Sequence, residues 1–141
     1  MAQINTGKVI VGGIAGAVVL NVIDYCVNGV WLASRWKAQS AALNPKLDAM
    51  SGTAITGYVV LDIVLAFLIV WLYAAIRPRF GPGPRTASIA AIAVWLTAAV
   101  FNGLMVTGGM FGPKLVAASV GGTLVGMLLA GNLGAMLYKE E

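Results

Sequence analysis

The chain has 141 residues, 60% of them hydrophobic and 10% charged, with a formal net charge of +4 and no histidine. Soluble domains carry about 25% charged residues, so most of this chain is built to avoid water. Without histidine it lacks the commonest metal and haem ligand and the usual general base. It also holds no P-loop and no metal-ligand spacing, so the expectation is a non-enzymatic protein that needs no cofactor. The basic residues are scattered between apolar runs, which suits anionic lipid headgroups and not nucleic acid.

A bilayer core takes about 20 apolar residues per helix. Four stretches meet that length, at residues 8–34, 53–76, 86–107 and 114–138. Each is expected to be helical, because an unpaired strand leaves its backbone groups unsatisfied in lipid. The expected fold is therefore an all-α bundle of four transmembrane helices in one domain; either two related helical hairpins or chance similarity between apolar segments would account for a weak repeat between its halves. The first apolar run outlasts a secretory h-region and lacks a small-residue cleavage site, so it reads as a span and not a leader.

The first span carries two faces. Gly12 and Gly16, four residues apart, offer a smooth packing surface. Gly13, Ala17, Asn21, Asp24, Asn28 and Trp31 follow at spacings of three and four and form a polar stripe. That stripe must face protein or trapped water, since a carboxylate facing lipid costs several kcal/mol. Cys26 lies in the same run and reads as a small buried hydrophobe.

Residues 35–52 form the long loop, with short interfacial helices expected at 35–43 and 45–50. Asn44 would cap the second of these and Pro45 would open it. The second span holds Asp62 and is expected to stop at Arg77 and Pro78, because proline cannot donate the next helical bond. Residues 77–85 then make a stiff basic turn whose Arg77, Arg79 and Arg85 belong at the headgroups. Trp31, Trp36, Trp71, Tyr73 and Tyr138 fall near span ends, where amphipathic rings favour the interface.

The third span contains Asn102 in a Phe101-Asn-Gly-Leu104 run that echoes Val27-Asn-Gly-Val30 of the first. The fourth span carries a ladder of small residues, Ala118, Gly122, Gly126, Ala130 and Gly134, at intervals of four. Such a face lets another helix approach closely, either within the bundle or in a second subunit.

Counting along each span at about 1.5 Å per residue places Asp24 and Asp62 at one depth, roughly 4–5 Å from the centre toward the 35–52 loop. Asn28, Asn102, Ser119 and Thr123 fall in the same half. Two readings compete for this polar cluster. Protonated acids could bond neighbouring amides and hydroxyls as interhelical glue, or the two carboxylates could share a proton or cation as a transport site.

The run 70–86, with its Arg77-Pro-Arg-Phe-Gly-Pro-Gly-Pro-Arg85 core, resembles a stretch in a group of uncharacterised bacterial four-helix membrane proteins. The resemblance extends loosely to the first span and to Ala93-Val-Trp95 of the third. It implies four spans in a bacterial cytoplasmic membrane and carries no known activity. The small multidrug transporters are similar in size and helix number and use a first-helix carboxylate. This chain has Asp24 where they have Glu, lacks their surrounding motif, and adds Asp62.

These observations favour a small accessory or structural subunit, packed against larger partners of a bacterial, bioenergetic type of membrane complex or against copies of itself. The alternative is a proton- or cation-coupled small-molecule transporter that uses Asp24 and Asp62. Orientation follows lysine and arginine. Lys8, Arg77, Arg79, Arg85 and Lys139 on one side face Arg35, Lys37, Lys46 and Lys114 on the other, five against four. The compact cluster at 77–85 puts both termini in the cytoplasm. In cells expressing a Cys26→Ala background, Ala42→Cys should react with an impermeant thiol reagent and Pro82→Cys should not. The reverse pattern would invert the topology, and labelling of both would mean dual insertion.

Overall fold

The computed structural model describes residues 3–138; Lys139, counted among the orienting charges, lies outside the described residues. The described chain is all-α. Helix α1 (Thr6–Asp24) runs into a π-helical segment (Tyr25–Trp31), followed by α2 (Ala33–Leu43), α3 (Gly52–Phe80), α4 (Pro84–Thr107) and α5 (Pro113–Leu137). Four runs are long and apolar enough to cross a membrane: Thr6–Trp31, Gly52–Phe80, Pro84–Thr107 and Pro113–Leu137.

Local chemistry sets the ends. Asn5 caps α1, its Oδ1 accepting from the Lys8 N–H at 3.0 Å, and Ser51 caps α3 by accepting from the Ala54 N–H at 3.2 Å. Helix α3 passes through Pro78 instead of stopping there. Proline's φ suits a helix, and its missing N–H and its ring cost the one bond to the Ala74 carbonyl, a loss confined to the helix end. The stop is Gly81, at φ +83°, whose N–H closes on the Arg77 carbonyl at 2.9 Å. The expected helix at 45–50 is absent. Asn44 and Asp48 each accept from the N–H two residues on, at 3.0 and 2.8 Å, and these local bonds replace helical ones with turns.

The spans form a ring. Helix α1 packs on α3 and α5, α4 packs on the same two, and α3 also touches α5. The closest seam is α1 against α5. A Cβ added at Gly12 would lie 2.6 Å from the Gly134 carbonyl oxygen, and one at Gly16 would lie 3.1 Å from that of Ala130. Further along, Gly126 receives Leu20 and Ile23, and Gly122 receives Val27. The ladder of the fourth span is therefore occupied within the chain. Gly13 opens onto the ring of Phe67 from α3 instead.

Leu20, Ile69, Val70 and Met127 are fully buried at the centre, while Val18, Val60, Leu61, Leu96, Phe101 and Val125 point outward. Outward apolar faces on every span are what lipid requires. Cys26 shares that outward surface and is exposed, so it is not the buried hydrophobe expected from sequence. Tyr73 and Tyr138 also depart from expectation, being 2% exposed and packed edge-on to each other at 6.0 Å. Their hydroxyls accept from the N–H groups of Gly83 and Asn5, which ties the ends of all four spans together.

Backbone-to-backbone contact leaves no room for a methyl group at Gly12. Gly12→Ala should cost about 1–3 kcal/mol by overpacking. Gly57→Ala, where nothing lies within 4 Å, should gain about 0.5–1 kcal/mol through helix propensity. Thermal unfolding in detergent measures both, and equal effects would mean the seam is looser than described.

Candidate functional site

Within the stripe of the first span, Asp24 and Asn28 face α5, whereas Gly13 meets Phe67 of α3, Asn21 donates back to the Ala17 carbonyl and Trp31 is exposed. Thr123 Oγ1 donates to Asp24 Oδ1 at 2.8 Å. One turn nearer the 44–51 loop, Asn28 Oδ1 accepts from Ser119 Oγ at 2.7 Å and from Trp36 Nε1 at 3.0 Å. Asn28 also approaches the Asp24 carboxylate. These contacts depend on the small residues just described, because a serine or threonine side chain spans only a narrow gap.

The π-helical segment begins directly after Asp24. Its turns close between residues five apart, as where the Leu32 N–H meets the Val27 carbonyl at 2.8 Å. A wider turn carries an extra residue, which holds Asn28 beneath Asp24 on the α5 side. The segment ends at Leu32, fully buried, where the chain turns into α2. Helix α2 then lies over the α4–α5 link. Trp36 packs edge-on against Phe111 at 5.1 Å, and Gln39 Oε1 accepts from the Gly112 N–H at 2.7 Å.

Asp62 is different. It is 6% exposed on α3, and among the described residues no group donates a hydrogen bond to it. Its described electrostatic neighbour is the Asp24 carboxylate. The two are not level, contrary to the depth count. With Val70 against Gly12 and Phe67 against Gly13, antiparallel counting puts Asp62 about 6–9 Å deeper than Asp24. Side chains tilt toward the N-terminus of their own helix. In antiparallel helices the two carboxylates therefore lean toward each other and narrow the offset.

Asn102 stands apart from this pair. Its Nδ2 donates to the Ala98 carbonyl of its own helix at 2.9 Å. It lines a crevice of about 30 Å³ between α4 and α5 with Trp95, Ala98, Ala99, Ser119 and Thr123. Asn28 and Asn102, alike in sequence, thus serve different surroundings, and the echo between the two spans has no counterpart in their contacts. A larger cavity of about 320 Å³ lies at the opposite end, bordered by Tyr73, Arg77, Pro84, Asn132 and Tyr138. Arg79 and Arg85 are exposed there as expected, whereas Arg77 is drawn inward, its guanidinium 5.6 Å from the Tyr138 ring centre.

Two contributors escaped the sequence reading. Trp36 reads in the sequence as an interface aromatic and Trp95 has no assigned role there, yet each places its indole N–H on an internal acceptor, the latter on the Val120 carbonyl at 2.9 Å. The signal available was that a tryptophan near a polar stripe needs a partner for its N–H. Searches against protein-family models, curated proteins and solved structures match nothing to this chain.

The two acids differ in what holds them. Asp24→Ala should lose about 0.6–1.7 kcal/mol, the range for interhelical hydrogen bonds in membranes. Asp62→Ala should leave stability unchanged or raise it, since removing a buried, unbonded acid removes its desolvation cost. Unfolding of both variants in detergent decides this; a clear loss for Asp62→Ala would show that the acid is structural glue.

Proposed function

We propose that this protein is a small transporter that exchanges protons against cations at the Asp24–Asp62 pair. One observation supports this above the others: Asp62 is buried at membrane depth and no described group donates a hydrogen bond to it. A carboxyl kept as glue should be bonded, as Asp24 is to Thr123. A carboxyl kept for exchange needs an open lone pair and a neighbour whose charge it feels.

The pair would work through mutual exclusion. Two adjacent carboxylates in a medium of low dielectric cannot both remain ionised without a counter-charge. A proton or a cation satisfies that demand, so loading one displaces the other. Asp24 is held in place by Thr123, while Asp62 has no such tether among the described residues. No group of three or more acidic or cysteine side chains among the described residues forms a cage for a metal ion, which favours weak, exchangeable loading.

The accessory-subunit reading drew on the small-residue faces of the first and fourth spans. Those faces meet each other inside the bundle, and this removes the main reason to invoke a larger partner.

Purified protein in liposomes with a trapped pH dye tests the proposal. Addition of sodium, potassium or tetraphenylphosphonium outside should drive proton release by wild type for at least one of the three. Asp24→Asn and Asp62→Asn should each lower that rate tenfold or more, with the amide preserving the fold. Equal proton movement in wild type and the doubly substituted protein, across all three cations, would sink the transporter reading.

A further inference from the structure

We infer that the crevice between α4 and α5 is the water inlet of the carboxylate pair, and that Thr123 is the hydroxyl that passes protons from it to Asp24. This rests on the exchange function proposed above and names its route.

The crevice has about 30 Å³ of space. A water molecule needs roughly 10–15 Å³ of such space and two to four polar partners. Asn102, Ser119 and Thr123 line the crevice and provide polar side chains. Those hydroxyls are also the two that reach across α5 to the first span, Ser119 to Asn28 at 2.7 Å and Thr123 to Asp24 at 2.8 Å. Each therefore touches the crevice on one side and the polar stripe on the other. No other described hydroxyl does both. Thr97 and Thr107 bond backward to carbonyls of their own helix.

Location supports the same role. Ser119 lies six residues into α5 and Asn102 lies five residues before the end of α4. At about 1.5 Å per residue, both sit some 8–9 Å from the loop-side ends of their helices. That is close enough to the interface for water to enter. The Trp95 indole, bonded to the Val120 carbonyl at 2.9 Å, fixes α4 to α5 beside it and keeps the gap at a set width.

The step balances without any further reactant. A hydronium ion in the crevice gives a proton to Thr123 Oγ1, and the hydroxyl's own proton moves along its existing bond to Asp24 Oδ1. The products are a neutral carboxyl, a water and a hydroxyl, and rotation about the Thr123 side chain restores the starting arrangement. A hydroxyl is required because it both accepts and donates; a methyl in its place can do neither.

Three variants in the liposome assay separate this from the underlying proposal. Thr123→Val removes the relay, Ala99→Leu fills the crevice from the α4 side, and Thr123→Ser keeps the hydroxyl. The first two should slow proton movement tenfold or more, and the third should stay within twofold of wild type. A wild-type rate in Thr123→Val or in Ala99→Leu overturns the route, while loss of transport in Asp24→Asn and Asp62→Asn would still leave the exchange site standing. Water access is measured separately, so that a misfolded variant does not decide the matter. In a Cys26→Ala background, Ser119→Cys should react with a water-soluble thiosulfonate at least tenfold faster than Phe101→Cys, which faces lipid at nearly the same depth. Equal rates overturn the inlet.

Discussion

The contact of α1 with α5, backbone against backbone at Gly12 and Gly134, governs the rest of this molecule. Lipid gives helices no hydrophobic reason to associate, so close packing must supply the attraction. The same closeness sets what the polar residues can do. Threonine and serine are short, and Thr123 and Ser119 reach Asp24 and Asn28 only because Gly122, Gly126 and Ala130 let the helices touch along the same seam. Packing and polar chemistry are thus two consequences of a single spacing, and a bulky side chain anywhere along it would disturb both.

The bundle is also polarised along its axis. At the end near the 44–51 loop, hydroxyls, amides and an acid form a connected network closed over by α2 through Trp36 and Gln39. At the other end, two buried tyrosines and Arg77 clamp the termini of α1, α3 and α5. The first end has the hydroxyl–amide network and the unusual helical geometry, and the second has the two buried tyrosines. A rigid clamp at one end leaves the other as the place where helices can shift relative to each other. The π-helical segment belongs to that other end.

The spans were legible because hydropathy over twenty residues is a strong signal, and the small-residue ladder was legible because its period is that of a helix face. What lay beyond reach followed from single-residue chemistry. Pro78 looked like a stop because proline lacks an N–H, but the helix continues for two residues beyond it, and Gly81 ends it. The depth match of Asp24 and Asp62 assumed helices centred on the membrane alike. The register is set instead by which glycine receives which side chain, Gly13 for Phe67 and Gly12 for Val70. The sequence placed Asn28, Ser119 and Thr123 in one half of the membrane but could not show that α5 stands between Asn28 and Asn102, with Ser119 and Thr123 facing both sides. Nothing in composition announced the π-helical turn that carries Asn28 under Asp24.

The difference between the two acids follows from their neighbours. On α1, Asp24 faces the seam where α5 brings hydroxyls, so a donor is at hand. On α3, Asp62 is buried with no described hydrogen-bond donor, and the residues one turn on in its own helix, Leu65 and Ala66, have no proton to give. A bonded acid resists change because moving it breaks a hydrogen bond. An unbonded acid in low dielectric has only its own proton, or a visiting cation, to neutralise it. Removing Asp62 would relieve that burden, so its presence is costly for folding alone. The two acids therefore differ in kind: Asp24 is part of the polar joint between α1 and α5, whereas Asp62 is a buried acid whose described electrostatic neighbour is Asp24.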